Sequence, residues 1–208
     1  MADDGLVFSA ETVSVEPIRE DQEYGGQRVK FEARLGQARI DLQVDIGFGD
    51  AITPGAESVA YPTLLGMEPP WLRAYPRETV VAEKLEALVK LGMANSRMKD
   101  FFDLAVLGQL FVFQGPVLRD AIVATFQRRG TAVPTEPPIA LGDAFAKDGA
   151  KLVQWKAFVS RNGLEGKARD LEEVVGEVAG FLGPPLVAAA KGEGFEWRWE
   201  PAGPWRPE

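Results

Sequence analysis

Between residues 28 and 46 the chain alternates apolar and polar positions with a period of two. Val29, Phe31, Ala33 and Leu35 alternate with Arg28, Lys30, Glu32 and Arg34. After Leu35-Gly36-Gln37-Ala38 the alternation resumes, with Ile40, Leu42, Val44 and Ile46 set against Arg39, Asp41, Gln43 and Asp45. Successive side chains of a strand point to opposite faces, so this pattern predicts a hairpin with one apolar and one polar face. Helices are expected to cover the apolar face, leaving Asp45 on the open one with Asp41 and Gln43 beside it, either as a site carboxylate or as a solvent-facing residue paired with Arg28 or Lys30. Upstream, Leu6 to Val15 is rich in β-branched and aromatic residues and predicts one or two short strands. Residues 53–76 carry five prolines, which predicts an extended crossing from sheet to helices, with Leu64, Leu65, Met67 and Trp71 packed down.

From Arg77 the period changes to that of a helix. Val80, Val81, Ala87, Leu88 and Leu91 fall within about 60° of Lys84, while Glu78, Glu83, Glu86 and Lys90 lie further round. This places Lys84 at the centre of an apolar face, where an ammonium needs an acidic partner, a phosphate or a route to water. Gly92 is a natural stop. A second helix follows Asn95-Ser96 and runs from Arg97 to Leu110, with Asp100 and Asp103 at its N-terminal end. Two accounts of this helical hairpin stay open on periodicity alone. Lys84 neutralises Asp100 or Asp103 and fixes register, or the same groups form a site.

Further on, Val117 to Phe126 predicts an amphipathic helix and Thr131 to Pro138 a proline-rich linker. Helices are then expected over Leu141–Asp148, over Lys151–Arg161 with Leu152, Trp155, Phe158 and Val159 inward, and over Ala168–Leu182. The tail from Phe195 to Arg206 interleaves aromatics with arginine. It either stacks nucleic-acid bases or tucks its tryptophans onto the body, the commoner fate. The fold class is α+β, with a sheet region over 1–75, the helical hairpin and following helix over 76–130, and a helical region with an aromatic tail over 139–208.

Composition narrows the chemistry. The chain has 208 residues, no cysteine and no histidine, which removes disulfides, thiolate or histidine metal sites and histidine acid–base catalysis. A net charge of −8 disfavours a strongly basic nucleic-acid binder. Residues 143–169 nevertheless hold six bases against three acids, a stretch that could hold an acceptor RNA or form a solvated face. The sequence has no secretory leader pattern, and the cytoplasm is the expected compartment.

The run Pro76-Arg77-Glu78-Thr79, then Ala82-Glu83-Lys84-Leu85-Glu86-Ala87-Leu88, then Asn95-Ser96-Arg97-Met98-Lys99-Asp100-Phe101-Phe102-Asp103-Leu104 resembles the last motif of the AbiEii-type nucleotidyltransferase toxin family. Leu42 to Asp50 is similar to that family's third-carboxylate strand, and Tyr24-Gly-Gly-Gln-Arg28 to the approach to it. The likeness runs from about residue 3 to residue 115. It implies a partial nucleotidyltransferase-type antiparallel or mixed sheet packed on helices, in the DNA polymerase β-like superfamily. It further implies transfer of a nucleoside monophosphate from an NTP with Mg²⁺, an acceptor such as RNA, and a partner antitoxin protein.

In that frame Lys84 contacts nucleotide phosphates with Arg97 and Lys99 near it, Asp100 and Asp103 orient or activate site groups, and Asp45 is the metal-binding third carboxylate. The family also opens with a Gly-Ser motif and an Asp-x-Asp pair, and neither occurs in this sequence. The resemblance therefore implies a chain that begins inside the family's domain and holds a half-site. Such a chain is inactive alone and binds Mg²⁺ weakly or not at all; it is a fragment or misstarted version of a complete toxin, is completed by a separately encoded N-terminal half, or is retained as an antitoxin-binding module.

Overall fold

The computed structural model describes residues 4–18 and 26–208, which divide into two compact units, residues 1–50 and 51–208. Asp3, Tyr24 and Gly25 of the stretches read above lie outside the described residues. The architecture is α+β, with small antiparallel sheets and six α-helices among the described residues.

The first unit is an antiparallel meander of β1 (Leu6–Pro17), β2 (Gln27–Leu35) and β3 (Ala38–Ile46) in that order. β2 and β3 keep the alternating register without a slip, from Gln27 opposite Ile46 to Leu35 opposite Ala38. Gly36, at φ 58°, opens the two-residue turn in a left-handed conformation that glycine adopts without strain. β1 is one strand of 12 residues whose pairing shifts between Ser9 and Ser14. Thr12 repairs the break: its hydroxyl donates to the Ser9 carbonyl (2.6 Å) and accepts from the Glu32 N–H (2.9 Å).

The described residues of this unit include no helix, so no helix of its own covers the apolar face. Ala33 is buried, whereas Leu35, Val44 and Ile46 remain exposed. A period of two reports that a strand has two faces and says nothing of what lies over either.

The second unit begins with the hairpin of β4 (Glu57–Ala60) and β5 (Trp71–Ala74). The long helices α1 (Arg77–Leu91), α2 (Met98–Leu110) and α3 (Gly115–Arg128) follow, the short β6 (Phe113–Gln114) preceding α3. Then come a one-turn helix α4 (Asp143–Ala146), α5 (Gly149–Arg161) and α6 (Leu171–Lys191), and finally β7 (Trp197–Trp199) and β8 (Trp205–Pro207). The core joins Leu85 and Leu88 of α1, Phe101 and Leu104 of α2, Leu118 and Ile122 of α3, Phe145 of α4, and Val178, Phe181 and Leu182 of α6.

Three expectations fail here for physical reasons. Leu64, Leu65, Met67 and Trp71 are not packed down but exposed. On α5, Trp155 is buried and Phe158 and Val159 pack against the core as expected, but Leu152 is exposed and Lys151 is buried in its place. α6 continues nine residues past Leu182, through Pro184 and Pro185. Proline removes the N–H that would bond the carbonyl four residues back. At Pro185 that carbonyl belongs to Phe181, and it accepts instead from the Trp205 indole N–H at 2.8 Å.

The tail tryptophans thus tuck onto the body. Trp199 donates to the Gly108 carbonyl at 2.6 Å, and its ring meets Phe181 and Trp205 at centroid distances of 4.9 and 5.5 Å. Among the described residues, α6 is the one helix long and apolar enough to cross a membrane, and ten of its residues are buried.

Candidate functional site

α1 begins with Pro76 as its extended N-cap, a placement that needs no N–H, and ends at Gly92, whose N–H returns to the Leu88 carbonyl. The turn into α2 is fixed by Asn95, whose side-chain oxygen accepts from the Arg97 N–H at 2.8 Å. These two ends bring Lys84 of α1 against the first turn of α2. Its ammonium donates to Asp100 Oδ1 at 2.7 Å and lies 2.8 Å from Asp103 Oδ2.

Two more cations complete the cluster. Arg97 Nε is 2.7 Å from Asp100 Oδ2, and Lys99 Nζ donates to Asp103 Oδ2 at 2.6 Å. Asp100 is 5% exposed and Lys84 18%, whereas the Arg97 and Lys99 side chains are 57% and 72% exposed. Three cations on two acids leave one positive charge in excess at the start of a helix, where the backbone dipole also favours an anion. The Arg97 contact has charge proximity without hydrogen-bond geometry and leaves Asp100 Oδ2 without a hydrogen-bond partner.

Burial lowers a lysine's pKa, but hydrogen bonds and charge from Asp100 and Asp103 outweigh it, so Lys84 titrates above the ordinary 10.5. The ammonium is therefore a permanent charge at neutral pH. Lys84 is not the centre of the buried stripe, however. Val81, Ala82, Leu85 and Leu88 form that stripe, with Lys84 at its margin.

The acid that does face inward is Glu86, which sequence reading placed on the polar side. It is 1% exposed, accepts from the Thr131 hydroxyl and from Arg129 Nη1 (3.4 Å), and ties the end of α3 to α1. Lys151 was also missed as a buried group. Its ammonium donates to the Asn95 carbonyl at 2.8 Å and sits over the Phe145 ring at 5.2 Å, bracing the turn that presents Arg97. No periodic signal marks either residue, since each is polar at a position where its helix rotates inward. Glu78, in the first turn of α1, has its carboxyl pushed up by burial, with Glu57 adding repulsion.

Asp45 belongs to the first unit and is held differently. Arg28, its cross-strand neighbour, grips both carboxylate oxygens at 2.8 and 2.9 Å, and Gln43 donates to Oδ1 at 3.1 Å. The Arg28 hydrogen bond holds the Asp45 carboxyl below the usual carboxylate range. A carboxylate occupied on both oxygens by guanidinium is a poor metal ligand. No three His, Cys, Asp or Glu side chains among the described residues converge to hold a metal ion. The described residues do not make a Mg²⁺ site.

The basic stretch over 143–169 is partly consumed internally. Lys147 pairs with Asp143 (2.8 Å) and Glu172 (3.4 Å), Arg169 pairs with Glu177, and Lys151 is buried. Lys156, Arg161 and Lys167 remain exposed.

No match was found among curated proteins, and none among solved structures. One protein family does match, over residues 2–177, and those residues contain both helices of the Lys84 cluster and the Asp45 strand. The family is described as the nucleotidyl transferase AbiEii toxin of a type IV toxin–antitoxin system, and the chain belongs to it.

Proposed function

We propose that Lys84, Arg97 and Lys99 bind the phosphates of a nucleoside triphosphate, with Asp100 and Asp103 orienting Lys84, in a toxin that transfers a nucleotide to an acceptor such as RNA. The observation that carries this reading is the Lys84 ammonium shared by two carboxylates within 2.8 Å and flanked by two exposed cations. Asp100 and Asp103 aim and neutralise the amine until an anion arrives. Arg97 and Lys99, mostly in water, are free to swing to phosphate oxygens at little desolvation cost. Abortive-infection defence against phage, in the cytoplasm, is the corresponding cellular role.

The same reading holds that these 208 residues do not transfer nucleotides alone. Nucleotidyl transferases generally use a divalent metal to neutralise attacking and leaving oxygens. The sequence has neither Gly-Ser nor Asp-x-Asp, and Asp45 is engaged by Arg28. Activity would then need metal-holding residues from further polypeptide. The test is transfer of radiolabelled NTP to bulk RNA with Mg²⁺. The chain alone should label nothing, and a chain joined to a Gly-Ser and Asp-x-Asp segment from a family member should label RNA only while Lys84 is intact. Labelling by the chain alone, or by the Lys84→Met fusion, would refute this reading.

A second reading has its own support in the engagement of Asp45 by Arg28 and the absence of any convergent group of three acids among the described residues. In it the chain is a non-catalytic module that binds an antitoxin-like protein. Affinity capture from the native host decides: a stoichiometric protein partner, with no transfer by the fused chain, would favour it over catalysis.

A further inference from the structure

β4 and β5 are joined by a loop that holds apolar side chains out in water. Leu64 is 101% exposed, Leu65 84%, Trp71 72%, Tyr61 57% and Met67 52%. The display is braced. The Tyr61 N–H donates to the Pro70 carbonyl (2.9 Å) at the base, and the Thr63 hydroxyl donates to the Met67 carbonyl (2.7 Å) across the apex. Gly66, at φ 66°, supplies the left-handed residue that the turn requires. Single apolar residues on a surface need no explanation, but five on one ordered hairpin mark a contact site.

The charges of this segment narrow the partner. Residues 57–74 carry Glu57, Glu68 and Arg73, and no cation lies between β4 and β5. A tip of this kind lacks the basic rim that would hold anionic lipid headgroups or a nucleic-acid backbone. Its match is an uncharged apolar recess on a protein.

The same unit contains such a recess. A cavity of about 300 Å³ lies among α2, α6 and the tail, walled by Leu104, Phe181 and Trp199. Gly180 keeps one side open, since a Cβ placed there would meet nothing within 4 Å. Glu177, the charged residue in its lining, is neutralised by Arg169. An apolar cavity of about 150 Å³ accepts one benzene-sized group, so this one has room for about two side chains of leucine size. Two is the number at the hairpin apex.

We infer that the hairpin of one copy inserts Leu64 and Leu65 into the α2–α6 cavity of a second copy, and that reciprocal exchange closes a two-fold dimer. A one-way contact would leave a tip and a cavity open at the ends and grow into chains, whereas reciprocal exchange uses every tip and every cavity.

Sedimentation velocity of the full chain from about 1 to about 200 µM tests this. A concentration-dependent dimer is expected. Both Leu64→Glu with Leu65→Glu and, separately, Gly180→Leu should weaken it at least about tenfold, with circular dichroism and thermal unfolding unchanged for the surface pair. Mixing the two variants should restore a weaker heterodimer, because one carries a sound cavity and the other a sound tip. A monomer throughout the range, a dimer indifferent to both variants, or failure of the mixture to associate would overturn the proposal. So would tip-dependent binding of phosphatidylcholine vesicles by a monomeric chain.

Discussion

Asp100 and Asp45 are both carboxylates gripped by cations, and exposure to water decides what each grip is worth. Asp100 is 5% exposed and bonded to Lys84, itself mostly buried, so removing that donor leaves a carboxylate oxygen where water cannot replace the lost bond. Asp45 is 43% exposed and its Arg28 partner 32%, so water and salt can stand in for either group. The bidentate Arg28 pair has the better hydrogen-bond geometry, yet burial predicts the greater effect on stability for the Lys84 cluster. Good geometry and energetic weight are separate properties, and burial supplies the second.

Four substitutions or titrations sharpen this contrast. Lys84→Met should have the largest effect, lowering stability by roughly 3 kcal/mol, because Asp100 and Asp103 lose their buried charged donor and keep only the exposed Arg97 and Lys99. Urea unfolding would show it as a lower midpoint at unchanged slope, and adding Asp100→Asn to that variant should recover part of the loss. A drop no greater than that of a surface lysine variant would mean the cluster is solvated.

Next in size is Trp205→Phe, which keeps the ring but leaves the Phe181 carbonyl without the indole N–H that replaces the missing proline bond. It should cost about 1–3 kcal/mol in the same assay.

The pH dependence separates the two ion pairs by direction. Lys84 has its pKa raised on folding, so its contribution is complete below 10.5 and is lost as pH rises through the higher folded value. Thermal unfolding of the wild type should therefore soften at strongly alkaline pH, and Lys84→Met should lack that component. Asp45 runs the other way. Its pKa is lowered, so its contribution holds above 3.8 and fades as pH falls through the lower folded value. Smallest of all, Asp45→Asn should lower the urea midpoint at neutral pH only slightly, and a loss as large as that of Trp205→Phe would mean the sheet pair is structurally important.

The β2–β3 hairpin was legible to the residue, because a period of two, a glycine turn and register are local properties. The Lys84 cluster was legible too, since a lysine among apolar positions and two acids one turn into the next helix must find each other when the helices meet. Glu86 and Lys151 were not. Each sits in the core because a partner distant in sequence, Thr131 or the Asn95 carbonyl, waits there, and helical periodicity carries no trace of such partners.

α6 was underestimated for a similar reason. Two adjacent prolines read locally as a stop, while the tryptophan that satisfies the freed carbonyl comes 20 residues after the second proline. Family membership spans both units, and it gave Lys84 a chemical reading where periodicity offered an ion pair.

The most direct test of the central claim is an amide-resolved NMR titration of the chain with each NTP, with and without Mg²⁺. The account predicts weak binding, around millimolar, that perturbs amides over residues 97–103 and disappears in Lys84→Met. Micromolar affinity by the chain alone, or a response that leaves residues 97–103 silent, would contradict it.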